Sequence, residues 1–278
     1  MRVLFLLPGG IDKQLQAIPA VAAVSDHFGA QVQVACAPTA AAAWGLLPAV
    51  EKVIPFDFDG GSSLADWANL LGNVREPDFQ ACINLAKGRE VDLMLSMSHI
   101  PTRVAQGGFS ATNTVQPGGG WANQVMGAYL RPLGVSLKAA DYRLALPKAL
   151  LEEATGALPS GQGPALLLAA SGDANDWPAA QWQALPDQIR PRLPDLRVVQ
   201  AQRERPLQQR AAQISSCDVV LSSDPTSTEL ALLLGSPLVA LGRSPASLPE
   251  RQGVQGLGET GGLAQLSSAE VLQAMGLA

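Results

Sequence analysis

Two short stretches of this 278-residue chain place chemically capable residues where an apolar run ends. In the first, Arg2–Pro8 (RVLFLLP) runs into Gly9 and Gly10, with Asp12 and Lys13 close behind. Glycines let a ligand approach the backbone, a carboxylate can take a proton, and an ammonium can meet an anion. The competing reading is structural: Asp12 caps the helix that follows, worth about 1 kcal/mol, beside a solvated Lys13. In the second stretch, SSDPTSTELALLLGSP (222–237), Thr226 and Glu229 stand at the spacing of a capping box. The same turn could instead cradle a diphosphate on the N–H groups of Thr226, Ser227 and Thr228, helped by the helix dipole. A carboxylate at Glu229 opposes that use, because it would repel the anion.

Other candidates are weaker. His99, in SMSHIPTR together with Arg103, reads either as a base near a cleft or as a hydrogen-bonded structural residue. Arg203 and Arg205, in AQRERP, follow an apolar run and could meet a phosphate, or could sit in a solvated loop. His27 is placed to complement a helix C-terminus. The formal G-x-G-x-x-G, GLGETG at 256–261, lacks the strand before it and the βαβ unit around it, and reads as a loop. The signatures G-x-x-x-x-G-K-[ST], H-E-x-x-H and G-x-S-x-G do not occur, which removes support for an NTPase, a zincin or an ordinary esterase.

These residues need rigid elements behind them, and the chain supplies a regular alternation. Apolar strands (RVLFLLP, QVQVAC, KVIPFDF, DFQACINL) are separated by helical patterns (DKQLQAIPAVAAVSDHFG, TAAAAWGLL, SLADWANLLGNV). Continuous apolar strands between helices predict a parallel sheet covered on both faces. Residues 102–120 loosen into a long Gly-rich loop, and a second alternation starts at PALLLAA after a Pro- and Gly-rich stretch. The expected organisation is α/β, with two doubly wound Rossmann-like domains: residues 1–150, a linker 151–163, and residues 164–278. Ligands of such sheets sit beyond the carboxyl ends of the strands, and two facing halves would form an inter-domain cleft.

Composition bounds the function. A net charge of −5 with only 15% charged residues argues against a nucleic-acid partner. The longest apolar runs fall short of a transmembrane segment, and VLFLL is too short for a signal-peptide core, so a cytoplasmic protein is expected. Three separated cysteines and two histidines suit reduced thiols better than disulfides, and supply a metal site poorly.

Taken together, these segments resemble glycosyltransferase family 9, the ADP-heptose:lipopolysaccharide heptosyltransferases of GT-B fold, along nearly the whole chain. GGIDKQLQAIPAV (9–21) is similar to the family's strand-turn pattern S-S-L-G-D-x-x-x-x-x-P-A, and LLPAVEKVIPFD (46–57) to its hPxVDxVIP segment. WPAAQWQAL (177–185) looks like W-P-x-x-x-[FW]-x-x-L, and CDVVLSSDPTSTELALLLGSPLVALG (217–242) like aDlvVgxDTGxxHLAaALGxPtVaLFG. In register, the family's catalytic Asp falls on Lys13 with Asp12 one residue early, its donor-phosphate Lys falls on Asn175, and D-T-G-x-x-H becomes Asp224, Pro225, Thr226 and Glu229.

The resemblance implies inverting, metal-independent transfer of a heptose-like sugar from a nucleotide-diphosphate donor, an ADP-sugar first among them. The acceptor would be a cell-envelope glycan or lipid, reached by a protein with peripheral membrane association and no cofactor. Asp12 and Lys13 take the catalytic positions, and Gly9, Gly10, His99 and Arg103 the acceptor side. Asn175, Trp177, Arg203, Asp224, Thr226, Ser227 and Glu229 take the donor side. The substitutions keep a second class open, a catalytically inactive relative acting as a binding or regulatory module. An NAD-dependent oxidoreductase is a third, without its fingerprint after the first strand.

Overall fold

In a computed structural model that describes residues 1–259 and 261–277, the chain forms two compact units, Met1–Tyr142 and Arg143–Ala278. The first contains strands β1 (Arg2–Leu6), β2 (Gln31–Cys36), β3 (Val50–Pro55), β4 (Ala81–Asn84), β5 (Thr102–Ala105) and β6 (Asn113–Thr114). Its helices are α1 (Ile11–Phe28), α2 (Leu64–Arg75), α3 (Arg89–Met97), α4 (Ala122–Val125) and α5 (Gly127–Leu130). All strand pairs are parallel, in the order β3-β2-β1-β4-β5-β6. The stretch expected as one long loop, 102–120, therefore holds two short strands, of which β6 is the edge of the sheet. They are too short to show a pattern in sequence, and Val104 pairs with Asn113 in the ladder.

The second unit contains α6 (Lys148–Gly156), β7 (Ala165–Ala169), α7 (Ala179–Ile189), β8 (Arg197–Gln200), α8 (Leu207–Ser215), β9 (Val219–Ser222), α9 (Pro225–Leu234), β10 (Leu238–Leu241), β11 (Val254–Leu257) and α10 (Ser268–Ala274). Its five strands are parallel in the order β11-β10-β9-β7-β8. Strand β11 takes the first two residues of GLGETG, so Gly256 lies in a ladder and not in a loop. A Cβ there would stand 2.3 Å from the Arg243 carbonyl oxygen, which explains a glycine at this place. Thr260 lies outside the described residues.

Each sheet is apolar on both faces, as expected for strands that cannot alternate. In the first unit Leu4, Leu6, Phe79, Cys82 and Leu95 share one core; in the second Leu166, Leu168, Leu185, Leu221 and Leu241 share another. Fully burying each such side chain stabilises by about 1.5–3 kcal/mol. Ile18, Pro19, Ala20 and Val21, which carry part of the family resemblance, are buried on α1, so that segment serves packing. The thiols of Cys36, Cys82 and Cys217 are buried and free, and burial pushes Cys36 and Cys217 up to about 11. Among the described residues, no helix is long and apolar enough to cross a membrane.

Candidate functional site

In each sheet the strand order reverses between two neighbours, β1 and β4 in the first unit and β7 and β9 in the second. Loops leaving the carboxyl ends of such neighbours frame the crevice where α/β sheets bind ligands.

The first crevice is framed by the β1–α1 turn. Gly9 has φ +91°, in the left-handed region, and its N–H donates to Asp59 Oδ2 at 2.7 Å. Helix α1 starts at Ile11 with Gly10 as N-cap and no side-chain cap, so Asp12 is the second helical residue and does not cap the helix. Lys13 Nζ lies 3.9 Å from Asp12 Oδ2 and donates to Gln16 Oε1 at 3.3 Å, with more than half of its side chain exposed. Gln14 fills the space beneath: its amide nitrogen donates to the Leu7 carbonyl and its oxygen accepts from the Trp44 indole. Asp12 and Lys13 are therefore brought together on a turn held from below, with Lys13 exposed and Asp12 partly buried.

His99 and Arg103 are not brought to this turn. His99 follows the C-terminal end of α3 and precedes β5, which puts it at the amino end of the sheet. Its Nε2 lies 2.9 Å from Arg75 Nη2, and its φ is +63°. Arg103 donates to the carbonyl oxygens of Ser110 and Ile100, fixing the turn between β5 and β6. Both do local structural work, and the acceptor-side expectation for them is revised accordingly.

In the second unit a cavity of about 200 Å³ opens at the carboxyl ends of β7, β9 and β10. Its walls include Ser171, Asn175, Ser223, Thr228 and Arg243. The β7–α7 loop is tied by Asp176, which accepts from the Gly172 and Trp177 N–H groups at 2.7 and 2.6 Å. Burial raises the Asp176 carboxyl, but hydrogen bonds from Ser223, Gly172 and Trp177 outweigh it and hold it below the ordinary carboxylate value. Trp177 is 1% exposed: its indole donates to the Leu266 carbonyl at 2.8 Å and packs edge-on against Trp182. It is a core residue that anchors the loop bearing Asn175.

The α9 end differs from the capping box read at Thr226 and Glu229. Asp224 is the N-cap, accepting from the Ser227 N–H at 2.8 Å, and Pro225 occupies the first helical position. Arg210 Nη2 donates to Asp224 Oδ2 at 2.9 Å and to Ser227 Oγ at 3.1 Å, while Arg203 Nε lies 4.0 Å from Asp224 Oδ1. Thr226 is half-buried, and Thr228 donates to Ser222 Oγ beneath the turn. Glu229 is completely buried and accepts from Arg243 Nη1 at 3.0 Å. Its charge is turned inward onto a guanidinium, so the expected repulsion of a ligand anion does not follow. Ser247 accepts from Arg243 twice more, through its hydroxyl and its carbonyl, so the guanidinium is fixed at the cavity wall. Sequence reading missed Arg243, Arg210 and Asp176. Arg243 alone gave a signal, standing just after the apolar run LVALG.

No family model and no curated protein sequence matches the chain. Solved structures do. A glycosyl transferase family 9 protein from Veillonella parvula superposes with a TM-score of 0.76 at 14% identity, covering 99% of this chain and 96% of that one. The E. coli ADP-heptose lps heptosyltransferase II gives 0.76 at 15% identity, with 99% and 98% covered. The E. coli heptosyltransferase WaaC with ADP-2-deoxy-2-fluoro heptose gives 0.71 at 16% identity, with 99% of each chain covered. The fold is GT-B, as in glycosyltransferase family 9. At these identities the likeness concerns the GT-B fold, and it places both strand-order reversals on a scaffold shared over nearly the full chain.

Proposed function

We propose that this GT-B protein binds a nucleotide-diphosphate sugar in its second unit and transfers the sugar, with inversion and without a metal, to a hydroxyl of a cell-envelope glycan or lipid. A heptose-like sugar on ADP is the favoured donor, since a neighbour of the same fold was solved with an ADP-heptose analogue. The observation that carries the reading is Arg243: a guanidinium fixed by Glu229 and Ser247 on the wall of the β7/β9 cavity that Asn175 also lines, the position where the resemblance expects a lysine to meet the donor phosphate. Positive charge is thereby supplied from β10 instead of from the β7 loop. Arg243 would stabilise the departing nucleotide diphosphate, and Asp12 would accept the acceptor hydroxyl's proton as its oxygen attacks the anomeric carbon. The work would take place in the cytoplasm, with peripheral association bringing a lipid-linked acceptor within reach.

The test is thermal denaturation with ADP-glucose, UDP-glucose and GDP-mannose, on wild type and Arg243→Ala. A ligand at a hundred times its dissociation constant adds about 2.7 kcal/mol and raises the melting temperature, an effect Arg243→Ala should remove. No shift with any of the three overturns the proposal. A second reading, a non-catalytic binding module, is favoured by the α9 end, where Asp224 already satisfies the Ser227 donor. Sugar transfer that Asp12→Asn abolishes would refute it.

A further inference from the structure

Among the described residues five large apolar side chains are exposed, Met1, Leu64, Leu93, Met97 and Phe109, and all five belong to the first unit. Two of them share one helix. On α3, Val91, Met94 and Leu95 pack into the core, as the inner side of a surface helix must. The outer side of such a helix is ordinarily polar. Here Leu93 and Met97, 54% and 42% exposed, stand four residues apart and form one line on the solvent side, with Arg89 at its head. A helix that is apolar on both sides calls for cover on both, and among the described residues the protein covers only one.

A third apolar side chain is brought to the same helix. Ser110 Oγ donates to Asp92 Oδ1 at 2.6 Å, and Gly108, with φ +97°, lies so close to that carboxylate that no Cβ would fit. Phe109 stands between these two residues and is therefore held beside the first turns of α3, with two-thirds of its surface in solvent. Met1 and Leu64 lie on other elements.

Charge selects what covers this face. Lys87 and Arg89 are exposed at the start of α3, Glu90 is exposed beside them, and Asp92 is buried against Ser110. Two cations against one exposed acid leave this end of the helix positive, on a chain whose net charge is −5. An apolar line with basic residues at its head matches a boundary that is apolar within and anionic at its surface. We propose that the outer face of α3, with Phe109, docks on a bilayer carrying anionic headgroups: Leu93, Met97 and Phe109 enter the acyl boundary, while Lys87 and Arg89 meet lipid phosphates. The inference deepens the proposed function by giving its membrane association a surface, and rests on that reading for the expectation that a bilayer is met. No residue of the donor cavity takes part.

Sedimentation with sucrose-loaded vesicles tests it on the full chain, using phosphatidylcholine alone and phosphatidylcholine with about one-third phosphatidylglycerol. Binding to the mixed vesicles is expected, about fivefold or more stronger than to phosphatidylcholine alone and weakened by salt. Leu93→Ser combined with Met97→Ser should weaken it about tenfold or more, through the apolar surface lost. Arg89→Gln should weaken it about fivefold, the worth of one cation near an anionic surface. These positions are exposed, so an unchanged melting temperature is expected in each variant. Absence of binding to the mixed vesicles overturns the proposal, as does equal binding to both kinds or binding that every variant leaves unchanged. A dimer seen by light scattering and dissolved by Leu93→Ser, without vesicle binding, overturns it in favour of self-association. The ADP-glucose melting shift separates the two ideas: vesicle binding without the shift sinks the donor reading alone, and the shift without vesicle binding sinks the docking surface alone.

Discussion

The β1–α1 and β9–α9 turns are built to one plan, a parallel strand running through a polar turn into a helix, yet they end differently. At α1 the cap is Gly10, without a side-chain bond, and the ammonium of Lys13 is exposed beside the partly buried acid of Asp12. At α9 the cap is a buried aspartate held by Arg210, and the next acid, Glu229, is sealed against Arg243. An anion at the second turn would meet a helix end already satisfied by its own protein. The positive charge near it is on Arg203, Arg210 and Arg243, of which Arg210 and Arg243 are already paired with Asp224 and Glu229. Exposed groups are free to react and contribute little to stability, whereas buried paired groups shape a cavity and are costly to disturb.

Four substitutions would break or sharpen that contrast. Arg210→Ala strands the Asp224 carboxylate in a site about nine-tenths buried and should cost about 3–5 kcal/mol, read as a lowered urea midpoint with unchanged slope. A loss under 1 kcal/mol would mean the α9 end is not held by this pair. Gly9→Ala forces a Cβ into φ +91°, 2.6 Å from Lys13 Cγ and 2.9 Å from Lys13 Cβ, and should cost about 2 kcal/mol, less than stranding a buried carboxylate. Asp12→Asn and Lys13→Ala should each change stability by less than about 0.5 kcal/mol, measured by the same denaturation. Sugar transfer should nonetheless collapse in Asp12→Asn, and a stability loss near that of Arg210→Ala would show that the first turn is not open at all.

How far the sequence speaks follows the same division. The apolar runs of β1, β2, β7 and β9 are long enough to be read as buried parallel strands, and the predicted doubly wound architecture with GT-B resemblance agrees with the structural neighbours. Strands β5 and β6 escaped because two to four residues in a polar context carry no period. The α9 cap was misassigned for a local reason: Thr226 and Glu229 have capping-box spacing, but Pro225 fits the first helical position and sets the start two residues earlier. Where the box does form, at Ser63 with Asp66 and at Ser267 with Glu270, the acid is exposed. Glu229 could not be assigned from its neighbours, since its partner lies beyond β10 and the pairing exists only once β9 and β10 lie side by side.

That dependence extends to assembly of each unit. Every ladder is parallel, so no strand finds its partner through a tight hairpin: Val3 lies beside Ala81, and Leu166 beside Val219. The chain between such partners must be gathered before the ladder forms, which slows folding and leaves apolar strand edges open meanwhile. In the first unit β1 lies between β2 and β4, so the turn carrying Asp12 and Lys13 can be fixed on both sides only after the chain has been made at least to Asn84. During synthesis, the turn that is made first cannot settle until β4 has followed it.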